Sequence, residues 1–341
     1  MNTKQSYSIY FLGLLVLLIV CFLANISLGS VSIPFKDVLM SLLGAIDNES
    51  QQYIIRNYRL PKAITAIIVG SGLGVSGLLM QTLFRNPLAG PFVLGISSGA
   101  SLGVAIIILG AAFGGTLATL LLSKWSIVIA ASLGSFLVLL SVLIVSTRVR
   151  DTMAILIIGL MFGSITAAVV SVLSYFSSAE QLQQYIFWGF GSLGNLSWNE
   201  VFILFVIYAI GIFLSILSIK TLNTLLLGEN YAKSLGLNLK RNRLIIILAT
   251  SLLAGTITAF AGPIAFIGLA IPHLTRQLLY TANHKTLLIA VFLVGAIVML
   301  ICDSIAQLPT SDYTLPINAI TSLFGAPIVI WLLVRKRKLL F

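Results

Sequence analysis

The stretch KAITAIIVGSGLGVSGLLMQTLF, at residues 62–84, decides the class of fold. After its first residue it carries no charge, and its length matches the roughly 20 residues that a helix needs to cross a bilayer. Gly70, Gly74 and Gly77 fall on one face of such a helix. Because small residues let helices approach closely in lipid, the stretch is interpreted as a membrane span that packs tightly against its neighbours.

The rest of the chain has the composition of a membrane protein. Of its 341 residues, 59% are hydrophobic and 9% are charged, whereas a soluble domain carries roughly 25% charged residues. Apolar stretches of about 20 residues alternate with short polar clusters. This pattern predicts an all-α, polytopic membrane protein of about ten spans that forms one domain over residues 1–341. The predicted spans are residues 9–29, 62–84, 92–111, 125–147, 152–175, 198–219, 243–261, 264–280, 286–306 and 316–334.

The first span is predicted to be retained in the mature protein. Its apolar run is longer than the core of a signal peptide, and a small-x-small cleavage site is lacking. The last span runs straight into the basic tail at residues 335–338, and the positive-inside bias assigns that side to the cytoplasm. An even number of spans then places both termini in the cytoplasm.

Most basic residues lie on the predicted cytoplasmic side at the ends of spans, so the net charge of +11 is not interpreted as a nucleic-acid surface. The basic residues in the predicted outer segments are Lys36, Arg56, Arg59, Lys62 and Lys124. Three of these crowd into residues 56–62. They could anchor lipid head groups, since basic side chains snorkel at span ends. The positive-inside bias otherwise keeps basic residues away from the outer side. This cluster is therefore interpreted as a docking site for an acidic partner outside.

Proline interrupts the apolar pattern at residues 85–91, 261–263 and 271–273. Proline removes a backbone donor and biases the preceding residue away from helix. Irregular backbone at membrane depth survives only where protein buries it or where it lines a wet cavity. These segments are therefore candidates for a transport path or gate, with simple interfacial turns as the alternative.

The longest predicted cytoplasmic loop, residues 221–242, contains a short amphipathic pattern. Ala232, Leu235 and Leu239 lie at helical spacing, and Gly236 is a candidate helix stop. Such a helix could lie on the lipid surface. Docking to a partner protein is the favoured interpretation.

The sequence offers no constellation for catalysis. It contains no Gly-x-x-x-x-Gly-Lys-Ser/Thr stretch, and the glycines of residues 70–77 lie in an apolar span instead of following a strand, so no nucleotide site is expected. His273 and His284 have no cysteine or carboxylate at ligand spacing. The chain is therefore predicted to be neither an enzyme nor an ATPase, and to bind no metal or cofactor of its own.

Two further groups bear on function. Cys21 and Cys302 lie far apart in apolar segments, which does not indicate a disulfide framework. Asp303 is the one intramembrane carboxylate that a proton-coupled transporter could use. It lies near the outer end of its span, where a structural hydrogen-bonding role is favoured. An ion-coupled secondary transporter remains the alternative mechanism.

Several segments match a known pattern in both order and spacing. They include RLPK (59–62), SGLLMQ (76–81), RNPLA (85–89), LGISSGA (94–100), WGFGSL (188–193), GPIAFIGL (262–269), PHLTR (272–276) and GAP (325–327). Together they resemble the iron-siderophore, haem and cobalamin permease family of bacterial ABC importers. The resemblance runs from about residue 59 to the C-terminus.

This resemblance implies a ten-helix subunit of the bacterial cytoplasmic membrane that works within a larger assembly. The expected partners are a second permease subunit, identical or related, two cytoplasmic ATPase chains, an extracellular or periplasmic binding protein, and membrane lipid. The expected cargo is a ferric siderophore, with haem or cobalamin as alternatives. Alternating access would move the cargo between the two permease subunits.

The resemblance also implies roles for particular residues. Arg59 and Lys62 match positions that receive the binding protein, and Arg56 could assist. The positions that match the ATPase-coupling helix are Gly228, Glu229, Ala232, Leu235 and Gly236. The positions that match the cytoplasmic gate are Asn86, Pro87, Leu88 and Thr152. The sequence departs from the family pattern at Gln307, where some members are basic, and at TLPIN (314–318), which replaces Glu-Leu-Pro-x-Gly.

Overall fold

The structure is a computed structural model, and it describes residues 7–29, 31–44, 48–110, 123–148, 152–309, 311 and 313–334. Within these ranges all regular elements are helical, which confirms the all-α prediction. The basic tail at residues 335–338 lies outside the described part. The helices are α1 (Tyr7–Ser27), α2 (Phe35–Leu42), α3 (Glu49–Ile54), α4 (Leu60–Phe84), α5 (Ile96–Ile108), α6 (Lys124–Arg148), α7 (Thr152–Tyr175), α8 (Ala179–Gly189), α9 (Trp198–Leu217), α10 (Ile219–Leu225), α11 (Glu229–Ser234), α12 (Leu239–Ala261), α13 (Ile267–Leu279), α14 (His284–Ala306) and α15 (Ile317–Val334).

Each of the ten predicted spans coincides with one of these helices. Seven helices in the described part are long and apolar enough to cross a bilayer. Helices α5 and α13 have 13 residues each, a length of about 20 Å at 1.5 Å per residue, which is short of a bilayer core of roughly 30 Å. The predicted spans 92–111 and 264–280 were therefore too long.

The backbone before each short helix explains the difference. A 3₁₀ turn, Pro91–Leu94, precedes α5, and Gly95 then takes a left-handed φ of 76°. Before α13, residues 262–266 are not helical, and Phe266 has a φ of 64°. Both irregular segments pack inside the bundle, where protein can satisfy their backbone groups.

Helix α4 lies at the centre of the bundle. It packs against α14, α12, α13 and α9, and every residue from Ile68 to Phe84 is buried. The glycine face predicted from the sequence makes these contacts. A side chain at Gly70 would overlap the Gly295 carbonyl of α14, and one at Gly77 would overlap the Gly268 carbonyl of α13. The close approach expected from small residues in lipid is confirmed at both positions.

Helix α13 runs through Pro272 without a break, so the predicted interruption at residues 271–273 is wrong. Pro272 has no N–H for the carbonyl four residues earlier, which belongs to Gly268. That carbonyl faces the Cα of Gly77 on α4. A weak Cα–H···O contact can therefore replace part of the missing helical bond.

The sequence did not predict four short helices, α2, α3, α8 and α10, because they are too short for a membrane span. Helix α8 begins with a capping box in which Ser178 and Gln181 bond each other's backbone. Helix α3 continues through a π turn, Ile55–Arg59, into α4, so that Glu49–Phe84 is one continuous helix of 36 residues. The two ends of the bundle are named according to the orientation predicted from charge. The end near Arg56 is called the outer end, and the end near Arg85 is called the inner end.

Candidate functional site

The π turn at the outer end has a local cause. Pro61 cannot donate a backbone hydrogen bond, and its ring disturbs the preceding turn of the helix. The Leu60 N–H bonds to the Ile55 carbonyl, five residues earlier, but the next bond in that series, from residue 61 to the Arg56 carbonyl, cannot form. Trp198 of α9 supplies the donor instead, with its Nε1 at 3.0 Å from the Arg56 oxygen.

The three basic residues predicted to dock a binding protein have different surroundings. Arg56 has an exposed side chain. The guanidinium of Arg59 turns inward and donates to the carbonyls of Ile26 at 2.6 Å, Ser27 at 2.9 Å and Val31. Arg59 thus binds the end of α1 and the segment that follows it, which limits its availability to a partner.

Lys62 is also engaged within the chain. Its Nζ lies 3.2 Å from Oδ1 of Asp303, whose side chain is 3% exposed. The other carboxylate oxygen accepts from Asn25 at 2.9 Å and from Gln307 at 2.7 Å. This network joins α1, α4 and α14, and it supports the structural role favoured for Asp303. Gln307, noted as a departure from the family pattern, is the residue that completes the network.

A cavity of about 820 Å³ opens at the outer end beside this face. Among the described residues that line it, only Lys124 is charged, and it is paired with Glu200 at 2.8 Å and also donates to the Asn195 carbonyl. Glu200 is buried and accepts two further bonds from Ser197. Six aromatic residues contribute to the lining, namely Tyr53, Tyr58, Phe187, Trp188, Trp198 and Phe260.

Residues 262–266 are tied to the start of α15. Asn318 accepts from the Ala265 N–H at 3.0 Å, and its own N–H donates to the Phe190 carbonyl at 3.1 Å. The Ser192 N–H donates to the Ala261 carbonyl at 2.8 Å. Asn318, which departs from the family pattern, therefore orders three segments at the outer end.

The predicted gate residues form the inner turn between α4 and the 3₁₀ turn. Asn86 caps this turn by accepting from the Leu88 N–H at 2.9 Å. The Pro87 carbonyl bonds Nε2 of the buried His273 on α13 at 2.7 Å. Leu88 is 43% exposed. Thr152 begins α7, and its side chain lies outside the described part.

Polar contacts between helices at the inner end had no signal in the sequence. Thr82 lies 2.8 Å from Nε2 of the buried His284, whose Nδ1 lies 2.9 Å from Oδ1 of Asn223 on α10. Gln81 donates to the Leu269 carbonyl at 3.1 Å and accepts from Arg276 at 3.3 Å. His284 thus connects α14 to α4 and α10, and His273 connects α13 to the turn at Pro87. Their partners come from distant parts of the chain, which is why spacing could not reveal them.

The predicted coupling segment folds as α10 and α11. Gly228 (φ 112°) is the residue directly before α11, and Gly236 (φ 80°) lies just after its end, so the predicted stop at Gly236 is confirmed. Glu229 pairs with Arg243 of α12 at 3.4 Å. Leu239 does not share a face with Ala232, because it begins α12 under the Asn238 cap; that part of the prediction was wrong.

The two faces of α11 differ in availability. Ala232 is completely buried against the chain itself, so it supports the helix and cannot meet a partner. The exposed apolar residues are Leu227, Tyr231 and Leu235, which are 64%, 53% and 59% exposed. The side that a partner could contact is therefore the Tyr231 and Leu235 side.

Comparisons with known proteins agree with this architecture. Residues 17–335 match the model of the FecCD transport family. The hemin transport system permease protein HmuU of Yersinia pestis is 35% identical over 326 residues, which cover 95% of each chain. The vitamin B12 import system permease protein BtuC of Klebsiella pneumoniae is also 35% identical over 326 residues, covering 95% of this chain and 93% of its own.

A solved structure is similar over nearly the whole chain. It is described as an inward-facing conformation of a metal-chelate type ABC transporter, and it matches with a TM-score of 0.82 and 32% identity. The match covers 97% of this chain and 100% of that one. The chain is therefore a membrane-spanning permease subunit of an ABC importer, a transport subunit and not an enzyme, and it belongs to the FecCD transport family.

Proposed function

We propose that this permease imports a ferric siderophore or a closely related metal chelate. The observation that carries the proposal is the outer cavity of about 820 Å³, which lies within the usual range of roughly 300–1,000 Å³ for a small-molecule site. Its aromatic lining can contact the organic face of a chelate. A chelator already satisfies its metal, so the path needs no side-chain ligands of its own.

Haem and cobalamin are the alternative cargoes. Relatives with 35% identity are described as a hemin permease and a vitamin B12 permease, and both of these cargoes are metal macrocycles with apolar faces. The solved structure described as metal-chelate type has 32% identity and the same fold. All three cargoes would suit an aromatic cavity, so they are distinguished by direct competition for uptake.

The proposed assembly contains two permease subunits, identical or related, two ATPase chains on the cytoplasmic side and a binding protein outside. Both termini would then lie in the cytoplasm. The ATPase would contact the exposed side of α11 through Tyr231 and Leu235, while Gly228 and Gly236 set the turns on either side of it and Glu229 holds it to α12. ATP binding and hydrolysis would act by contacting this segment differently in two states of the importer.

At the outer end, Arg56 is the proposed contact for an acidic binding protein because its side chain is exposed. Arg59 and Lys62 would contribute mainly by fixing the shape of this face, since their side chains are bonded within the chain. Asn86, Pro87 and Leu88 are proposed to form the cytoplasmic gate together with Thr152. Of these, Leu88 has the exposed apolar side chain that a closing constriction requires.

Co-purification with candidate ATPase chains in mild detergent tests the assembly. We expect Leu235→Glu to abolish the complex, because it places a charge on the exposed apolar side of α11. Lys285→Glu is the matched control, since it introduces the same side chain at an exposed position of the inner end that lies outside residues 221–242. Equal recovery of ATPase with both variants would contradict the proposed contact.

Uptake into proteoliposomes that contain the assembled importer and its binding protein tests the cargo. A radioactive ferric trihydroxamate should accumulate with ATP, and an excess of unlabelled cobalamin or haem should not reduce its uptake. No uptake of the ferric chelate, or uptake that an excess of cobalamin or haem suppresses, would reassign the cargo within the family.

A further inference from the structure

Arg85 ends α4 in a conformation that side chains other than glycine rarely adopt. Its φ is 48° and its ψ is 36°, in the left-handed region, which is sterically unfavourable for a residue other than glycine. Glycine is the common residue at such a helix end. An arginine here is understandable if its side chain performs a task that glycine could not.

The guanidinium of Arg85 reaches the coupling segment. Its Nη2 donates to the carbonyl of Leu225, the last residue of α10, at 2.6 Å. The last carbonyls of a helix have no partner within the helix, and they carry the negative end of its dipole, so a cation is a favourable donor there. Arg85 therefore caps α10 from a different part of the chain.

The same guanidinium covers the start of α11. A Cβ built on Gly228 would lie 3.4 Å from the Arg85 Nη2. Gly228 has a φ of 112° and directly precedes α11. Arg85 thus bonds the α10–α11 junction at the Leu225 carbonyl and lies close to Gly228.

On its other side, Arg85 is covalently joined to residues 86–88, which are called the gate turn. Asn86 follows it directly, and the Pro87 carbonyl is bonded to His273 of α13. A displacement of the α10–α11 junction would pull on the guanidinium, and the shortest route from there to the gate turn is the Arg85 backbone. The path from α11 to α13 therefore passes through one side chain, one turn and one hydrogen bond.

A second connection holds α10 in place independently of Arg85. Asn223 of α10 bonds the ring and the backbone N–H of His284, at 2.9 Å and 2.8 Å, and the other ring nitrogen bonds Thr82 of α4. This contact joins α10 to the α4 and α14 helices but does not touch the gate turn. Removing the Arg85 side chain should therefore leave the coupling segment folded.

We propose that Arg85 is a positioning residue that transmits movement of the coupling segment to the gate turn. The inference rests on the proposed function, since it takes α11 as the ATPase contact and residues 86–88 as the gate. Transmission here means that the free energy of ATPase binding at α11 depends on the conformation of residues 86–88, and that Arg85 carries this dependence.

The experiment measures whether nucleotide still changes the gate when Arg85 is absent. The complete importer carries Leu88→Cys, with Cys21 and Cys302 replaced by serine and alanine, and a membrane-impermeant maleimide is added from the cytoplasmic side. The labelling rate at position 88 is compared without nucleotide and with ATP plus vanadate. In the background with native Arg85 the two rates should differ by roughly fivefold or more.

Arg85→Gly is the decisive variant because glycine accepts the left-handed backbone without strain. We expect the complex to assemble and to hydrolyse ATP, while the two labelling rates become equal. Arg85→Lys should restore part of the difference, since its amine can reach the Leu225 carbonyl with a single bond. Arg241→Ala is the control, because Arg241 is an exposed basic residue on the same side of the molecule.

The outcomes separate the two proposals. If the native chain fails to assemble with the ATPase, the proposed function is wrong. If it assembles and Arg85→Gly keeps the full nucleotide-dependent change at position 88, the role of Arg85 is refuted. Loss of assembly in Arg85→Gly would refute it as well, because the Asn223 and His284 contact would then be insufficient to hold the coupling segment.

Discussion

Replacing Gly77 by alanine would place a methyl group where α4 meets the backbone of α13. A Cβ built on Gly77 lies 1.6 Å from the Gly268 carbonyl oxygen, whereas an ordinary contact begins at 3.4 Å. The two helices would have to separate by about 1.8 Å at this point, which is the difference between these distances. No flexible side chain stands between them to absorb the shift.

The energetic cost follows from this geometry. Forcing an extra methyl group into a packed interior costs roughly 1–3 kcal/mol, and the backbone contact here places Gly77→Ala at the upper end. At roughly 2–4 °C per kcal/mol for a large domain, about 3 kcal/mol corresponds to a fall of about 6–12 °C in melting temperature. The contact to the carbonyl that Pro272 leaves without a helical partner would also be lost.

Alanine substitutions at glycines with more space around them test whether the backbone contact is the cause of the lost stability. At Gly74 the added Cβ would meet side chains of Ile271 and Val291 at 3.1 Å, which can move, so Gly74→Ala should be intermediate. At Gly13, on α1, nothing lies within 4 Å. Alanine is favoured over glycine in a helix interior by about 0.8–1.0 kcal/mol, so Gly13→Ala should leave the melting temperature unchanged or raise it slightly.

The chain contains its own reporter for this measurement. Cys302 is buried, with 1% exposure, so a dye that becomes fluorescent on reaction with thiols reports unfolding in detergent. The expected order of melting temperatures is Gly13→Ala, then Gly74→Ala, then Gly77→Ala as the lowest. A melting temperature of Gly77→Ala equal to that of Gly13→Ala would refute the backbone contact between α4 and α13.

Two predictions concern the outer end. Lys62→Met should lower the free energy of unfolding by roughly 3–5 kcal/mol, because the buried Asp303 carboxylate loses its counter-charge. Adding Asp303→Leu should recover most of that loss in the same thermal assay. Additive losses in the double variant would contradict the pairing. Arg56→Glu should leave the melting temperature unchanged but weaken binding of the binding protein about tenfold at low ionic strength, less so at high salt. Unchanged affinity in low salt, measured by surface plasmon resonance, would remove Arg56 from the docking site.

The sequence was sufficient to locate the long helices because their signal is local. The run at residues 62–84 is apolar, uninterrupted and long enough for a span, and its glycine face makes the contacts that small residues predict. The limits of α5 and α13 were wrong because hydropathy does not distinguish helix from buried irregular backbone. The Phe266 φ of 64° depends on packing, not on composition.

The roles of the charged residues could be predicted only in part. Spacing placed Arg56, Arg59 and Lys62 together, but it could not show that two of them are bonded within the chain, because the partners of Arg59 lie at residues 26–31 and that of Lys62 is Asp303. Contacts across such distances leave no pattern in one sequence. The start of α8, in contrast, has a local signal in the sequence, because Ser178 and Gln181 have the spacing of a capping box.

The continuous helix from Glu49 to Phe84 has a mechanical consequence. Its 36 residues form a rod of roughly 54 Å, at 1.5 Å per residue, with Arg56 near one tip and Arg85 just beyond the other. Near its middle the rod touches α14 through Gly70 and Gly295, backbone against backbone. The two helices approach most closely at this contact, and a tilt of about 5° around it would move each tip by roughly 2 Å. The two tips would swing in opposite directions, as the arms of a lever do.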